Sequence, residues 1–188
     1  MDLNSKKPAL LLIDIQLGLD DWDYYGGNRN NLRAEYNAAK LLQEWRSLAL
    51  PIFHVKHSSQ NHNSPLHSSK PGFNIKEEVK PEKDETVITK NVNSAFIGTG
   101  LEQQLKELDI STVVVVGLTT NHCISTSVRM AANLGFETFL IADATATFDR
   151  VGINGETFDA ELVHQTSLAS LNEEFATVIT TEHLLSHL

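Results

Sequence analysis

The chain has 188 residues, and 15 Lys and Arg against 24 Asp and Glu give it a formal net charge of −9. That length suits a single domain over residues 1–188 with a real core, and 41% hydrophobic residues match a globular make-up. The acidic balance excludes the basic stripe of a nucleic-acid binder, and the lack of a run of about eighteen apolar residues excludes a membrane-spanning helix.

The N-terminal MDLNSKKP lacks the roughly 7–15-residue apolar stretch of a secretory signal, so no leader is expected. Ala9-Leu-Leu-Leu-Ile-Asp14 is a short apolar run closed by a carboxylate, the pattern of a strand buried on both faces of a parallel sheet. Residues 31–49 carry Tyr36, Ala39, Leu42 and Trp45 at helical spacing after an Asn-rich start that can cap the helix. Pro51-Ile-Phe-His-Val-Lys56 is a second strand, residues 57–74 a polar loop, and residues 75–85 a charged connector read as solvated. Thr86–Thr89 is a strand leading to Lys90, and Leu101, Leu105 and Leu108 mark a helix. Thr112-Val-Val-Val-Val116 is the strongest strand, stopped by Gly117 and followed by a helix over 121–134. Thr138–Ala142 is a strand, Glu156–Leu171 reads as helix, and Ala176–Thr180 is the final strand. Strands alternating with helices predict a three-layer α/β fold with a parallel sheet covered on both faces.

In such sheets ligands bind beyond the carboxyl ends of the strands, near the point where strand order reverses. Asp14, Lys90 and Cys123 all fall at such ends. Singly, each has an ordinary explanation: a surface or capping carboxylate, a solvated ammonium, a small buried hydrophobe. Together they make a nucleophilic site. Cys123 at a helix start lies where backbone N–H groups and the macrodipole favour a thiolate, and a nearby Lys90 would favour it further. Asp14 could take the thiol proton, pass it to a leaving amine and later activate water.

His122 is a poor base for Cys123, because neighbours on a helix stand about 100° apart, so it reads as pocket lining or structural. His54, His57, His62 and His67 raise the question of a metal. His54 and His57 project to opposite strand faces, and residues 57–74 contain no Asp or Glu, so no metal is expected. His57 can still touch substrate. Gly98-Thr-Gly100 matches no full nucleotide-binding fingerprint and reads as a turn. The single Cys excludes an internal disulfide and a multi-cysteine zinc site, which makes a reducing cytoplasm the expected compartment.

LLIDIQ at the first strand end, KNVNSAF around Lys90, GLTTNHCISTSVRMAANLGF around Cys123, and ADATAT, which contains Asp143, together resemble the isochorismatase-like cysteine hydrolases. The likeness runs from about residue 8 to residue 180. It implies a Rossmann-like αβα sandwich with a six-stranded parallel sheet and an Asp14–Lys90–Cys123 triad. It also implies a cis peptide at Leu118–Thr119 and an oxyanion hole from the backbone N–H groups of Thr119 and Cys123. Gln16 would line the pocket, and the chain would form a homo-oligomer, a dimer or larger. Family members that cleave the vinyl ether of isochorismate lack this Cys, which favours the amidase branch. Nicotinamidases hold a metal through an Asp-x-His, whereas His57-Ser-Ser-Gln-Asn-His62 has no Asp.

The expected activity is therefore metal-free and cofactor-free hydrolysis of a C–N bond in a small amide, carbamoyl, ureido or lactam substrate. His57, Gln16 and Asn93 are its polar contacts, with Trp22, Tyr24, Phe96 and Phe148 as apolar walls. Nicotinamidase or isochorismatase activity, or a non-hydrolytic redox-sensing or ligand-binding thiol, stay open as alternatives.

Overall fold

The computed structural model describes residues 3–188; Met1 and Asp2, the start of the stretch read for a leader, lie outside the described residues. In chain order the strands are β1 (Ala9–Ile13), β2 (Ile52–His57), β3 (Thr86–Lys90), β4 (Thr112–Leu118), β5 (Glu137–Ala146), the pair β6 (Arg150–Val151) and β7 (Thr157–Phe158), and β8 (Thr177–Ile179). The helices are α1 (Trp22–Tyr25), α2 (Ala34–Ser47), α3 (Leu101–Glu107), α4 (Ser125–Asn133), α5 (Ala160–Leu171) and α6 (Thr181–Leu185).

Six strands form one sheet in the order β3-β2-β1-β4-β5-β8, every neighbouring pair parallel. β1 sits in the middle because all five of its residues are apolar and buried. Its side chains alternate between two cores. Ala9, Leu11 and Ile13 pack with Leu101 and Leu105 of α3, Val128 and Ala131 of α4, and Leu168 and Leu171 of α5. Leu10 and Leu12 pack with Ala38, Leu41, Leu42 and Trp45 of α2 and with Leu184 of α6. Helices thus cover both faces, as the alternation of elements predicts. The chain runs from β1 outward through β2 and β3, then returns to β4 on the other flank. The reversal between β1 and β4 opens a crevice at their carboxyl ends.

Three details depart from the sequence reading. The buried stripe of α2 is Ala38, Leu41, Leu42 and Trp45, while Tyr36 is exposed; the stripe is rotated from the one read, and buried Trp45 Nε1–H donates to the Pro8 carbonyl at 2.9 Å. The helix read from Glu156 begins at Ala160, where Asp159 accepts from the Glu161 N–H, and Thr157–Phe158 pair with Arg150–Val151 instead. The connector 75–85 is not simply solvated. Lys76 is buried and its Nζ donates to Asp20 at 2.6 Å and to Glu35 at 2.7 Å, with Arg29 on the same carboxylate. Arg29 and Lys76 hold the Glu35 carboxyl at about 2 in spite of its burial. This cluster ties the segment after β1 to the segment before β3, which frame the crevice.

Gly117 marks where β4 meets β1 most closely. It has φ +126, and a Cβ there would lie 1.9 Å from the Ile13 carbonyl oxygen, directly before Asp14. Gly117→Ala is therefore expected to lower folding stability by at least about 2 kcal/mol, read as a lower urea midpoint at unchanged slope.

Candidate active site

Asp14 follows β1 with φ +54. Its N–H donates to the Val55 carbonyl at 2.8 Å and its own carbonyl accepts from the Gln16 N–H at 2.9 Å, so the chain turns sharply at the strand end. Gln16 is fully buried. Its Nε2 donates to the carbonyls of His57 at 3.1 Å and Phe73 at 2.9 Å, and its Oε1 accepts from the His57 N–H at 2.7 Å. The expected pocket role of Gln16 is thereby corrected. Its amide is spent on backbone, where it pins the end of β2 and the 71–73 turn beside Asp14.

Lys90 ends β3 with its side chain wholly buried. Its Nζ donates to Asp14 Oδ2 at 2.7 Å, to Cys123 Sγ at 3.3 Å and to the Val92 carbonyl at 3.2 Å, and lies 3.1 Å from His57 Nδ1. Burial and the Lys90 charge both lower the His57 pKa, which keeps the ring neutral. The other Asp14 oxygen, Oδ1, is buried with no hydrogen-bond partner among the described residues.

Cys123 sits within a π-helical turn, Thr120–Ile124, that precedes α4. Burial pushes its thiol pKa up, and the Asp14 charge pushes it further, outweighing the opposing effect of Lys90. The sequence reading expects a stabilised thiolate; burial, a tertiary effect that motif position does not reveal, works against it. The Leu118–Thr119 peptide bond just upstream is cis.

Among the described residues, the His, Cys and carboxylate atoms close enough together to hold a metal are those of Asp14, His57 and Cys123, all within 4.8 Å of one another. They fit a metal poorly. The Lys90 ammonium already lies within hydrogen-bonding range of all three and would repel a second cation there. His54 is elsewhere, its Nε2 2.8 Å from Glu85 Oε2, and the rings of His62 and His67 contact each other on the loop.

A cavity of about 190 Å3 opens over this cluster, with Asp14, His57, Asn93 and Cys123 in its wall. Asn93 Oδ1 is 3.9 Å from the thiol. Thr119 lines it as well, and Tyr24 and Phe148 supply apolar wall as expected. Trp22 and Phe96 do not line it. Trp22 is 39% exposed, and Phe96 is buried in the core against Phe136. Sequence reasoning missed Tyr25, Thr147 and Arg150, which do line it, while His122 lies where the pocket-lining reading put it. Thr147 was within reach, since it closes the ADATAT segment. Arg150 was hidden in the unrecognised hairpin.

The family model for the isochorismatase domain matches residues 8–183. The chain belongs to the isochorismatase family. The isochorismatase family protein YrdC of Bacillus subtilis, itself uncharacterized, is 48% identical over 97% of this chain and 96% of its own length. A crystal structure described as an isochorismatase-family hydrolase from Chromobacterium violaceum superposes with a TM-score of 0.92 at 43% identity, covering 97% of this chain and 93% of that one. Nicotinamidase 3 of Arabidopsis thaliana is 28% identical over 97% of this chain and 89% of its own. The chain is accordingly an isochorismatase-family hydrolase, with a six-stranded parallel sheet covered by helices on both sides. No helix among the described residues is long and apolar enough to cross a membrane.

Proposed function

We propose that this hydrolase cleaves a C–N bond of a small amide, carbamoyl, ureido or lactam substrate through a thioester on Cys123. The observation that carries the reading is the Lys90 ammonium held between Asp14 and Cys123, beside an unpartnered Asp14 oxygen. The neutral thiol needs a base at the moment of attack, and Asp14 is that base. As Sγ bonds to the substrate carbonyl carbon, the thiol proton passes to Asp14. The carbonyl oxygen becomes an oxyanion held by the backbone N–H groups of Thr119 and Cys123. Asp14 then gives its proton to the nitrogen, the C–N bond breaks, and the amine or ammonia leaves a thioester. Water attacks the thioester with Asp14 as base, releasing the acid and restoring the thiol. Lys90 steadies the Asp14 charge throughout, and His57 and Asn93 are polar contacts for the substrate. A cavity near 190 Å3 is below the roughly 300–1,000 Å3 of drug-sized sites, which suits a small molecule rather than a polypeptide.

The redox-sensor reading loses support, since a sensing thiol needs thiolate character and burial here raises the Cys123 pKa. Two measurements test the proposal. Comparative kinetics on nicotinamide, isochorismate, a short peptide amide, and a panel of ureas and lactams should give the highest kcat/KM within the panel. A maximum at nicotinamide or isochorismate would assign the chain to another branch. Activity should also survive exhaustive chelation and dialysis, because Lys90 occupies the position a metal would take. Loss on chelation with recovery on adding zinc, iron or manganese would refute the metal-free mechanism.

A further inference from the structure

The ADATAT segment and the two asparagines ahead of α2 take no part in the proton transfers proposed above, yet together they hold the turn that carries the nucleophile. Asn31, with φ +42, donates from Nδ2 to the carbonyls of Ala142 at 3.0 Å and Thr145 at 2.8 Å. The same nitrogen lies 3.3 Å from Nε2 of His164 on α5. At the other edge of that ring, Nδ1 lies 2.8 Å from the Thr120 hydroxyl. His164 is 2% exposed and Thr120 is fully buried, so the contact is sheltered from solvent. Burial lowers the His164 pKa, so the ring contributes hydrogen bonds rather than a charge. Asn30 works in parallel. Its Oδ1 accepts from the Thr147 N–H at 2.8 Å and its Nδ2 donates to Glu161 of α5 at 3.0 Å, while the Thr147 hydroxyl donates to Asn121 Oδ1 at 2.6 Å. Thr120 and Asn121 open the π-helical turn of Cys123. The Thr119 carbonyl closes it, accepting from the N–H groups of His122 at 3.1 Å and Ile124 at 3.2 Å. A π-helical turn is a rare geometry found mostly at functional sites, and here neighbouring elements hold its first two residues.

We infer that His164 is a positioning residue for the reaction: through Thr120 it fixes the turn that aims the Cys123 thiol and the Thr119 and Cys123 N–H groups at one carbonyl. This deepens the proposed thioester mechanism and rests on it for the oxyanion site. His164 and Thr120 do not line the cavity, so their effect reaches the reaction through the turn and not through contact with substrate. The chemistry makes that effect selective. Attack on a carbonyl develops an oxyanion, which needs its N–H donors held to within about 0.5 Å. Displacement at a saturated carbon develops none and needs only the thiol. A loosened turn therefore slows acyl transfer far more than alkylation.

The experiment gives the full chain two probes that react at Cys123 by these two routes. With p-nitrophenyl acetate, Sγ bonds to the acetyl carbon, the thiol proton passes to Asp14 and p-nitrophenolate leaves. With iodoacetamide, Sγ bonds to the methylene carbon, and iodide and the thiol proton leave. Acylation is read as p-nitrophenolate released above a Cys123→Ala blank, and alkylation as mass added to the Cys123 peptide. Thr120→Val, which removes the hydroxyl and keeps the branched shape, and His164→Leu should each slow acylation at least about tenfold. Alkylation should slow by less than about threefold. The double variant should be no slower than the slower single, because both substitutions remove one contact. His164→Asn, whose amide can stand where Nδ1 stood, should recover part of the acylation rate. Urea unfolding checks that each variant is folded in the assay, and Thr120→Val carries the test if His164→Leu does not fold. Equal losses in the two rates, or unchanged acylation beside a lowered urea midpoint, would make His164 a structural residue only and overturn the inference. A wild-type Cys123 that is not acylated would overturn it too, since there would be no oxyanion site to position. Neither probe reports C–N cleavage, so failure of every compound in the substrate panel would refute the proposed substrate class and leave this comparison standing.

Discussion

Cys123→Ala should abolish turnover, by at least about 10⁴-fold in kcat, while the protein stays folded. The two halves of this expectation have different causes. Turnover is lost because the attacking atom is gone, and neither Asp14 nor His57 can form a comparable acyl intermediate in its place. Folding is retained because Cys123 only packs against the edge of one core at the cavity wall, and alanine leaves the buried residues of both cores in place. Lys90 also keeps its bond to Asp14 when the sulfur is removed. Circular dichroism and urea unfolding of the variant should match the wild type, and rapid quenching of wild-type turnover should show a mass increase on the peptide holding Cys123. Turnover that persists in Cys123→Ala would end the thioester mechanism. The raised thiol pKa adds a resting-state signature: iodoacetamide should label the free enzyme slowly at pH 7 and faster as pH rises. Rapid labelling at pH 7 would show a preformed thiolate and remove the need for Asp14 as base.

That Asp14, Lys90 and Cys123 come together was legible in the sequence because a parallel sheet sends every strand end to one edge. Asp14, Lys90 and Cys123 lie far apart in the chain, yet each follows an apolar run whose type is plain. What surrounds them was less legible, for reasons particular to each residue. Gln16 looks like a pocket residue by position, but the backbone groups of His57 and Phe73 that occupy its amide come from two other segments. Phe96 and Trp22 are both aromatic and both near the site in sequence. Only packing decides that one enters the core and the other meets solvent. Arg150 was concealed because it belongs to a two-residue strand paired with Thr157–Phe158, too short to show a pattern, and the second of these strands read as the start of the helix. The upward push on the Cys123 pKa escaped because a helix start favours thiolate locally, while burial beside Asp14 depends on a residue more than a hundred positions away in the chain. The connector 75–85 misled in the same manner. Its composition is that of a solvated face, but Lys76 has Glu35 and Asp20 waiting for it.

Lys90→Met should damage both activity and stability, and the two losses can be separated. The Asp14–Lys90 pair is almost wholly buried, at 2% and 0% side-chain exposure. Removing the ammonium leaves a carboxylate that is 2% exposed without its countercharge, which costs about 3–5 kcal/mol of folding stability. Turnover should fall by orders of magnitude as well, because Asp14 loses the charge that steadies it as it gives up and takes back its proton. Asp14→Asn should remove turnover to a similar degree, since the amide cannot accept the thiol proton, but it strands the Lys90 ammonium instead. The informative protein is the double variant Asp14→Asn, Lys90→Met. With both charges gone, the amide and thioether bury without an unpaired ion, so stability should recover most of the loss seen in either single variant. Activity should not recover at all. A buried pair is rarely more stabilising than an apolar replacement of similar volume, so the pair at this strand edge suits the proposed reaction more than it suits the fold. Urea unfolding of the four proteins of the cycle, alongside kcat for each, reads both quantities. A Lys90→Met protein as stable as the wild type would mean that the Asp14 charge is accommodated by solvent. A double variant that regains turnover would mean that neither residue handles the proton.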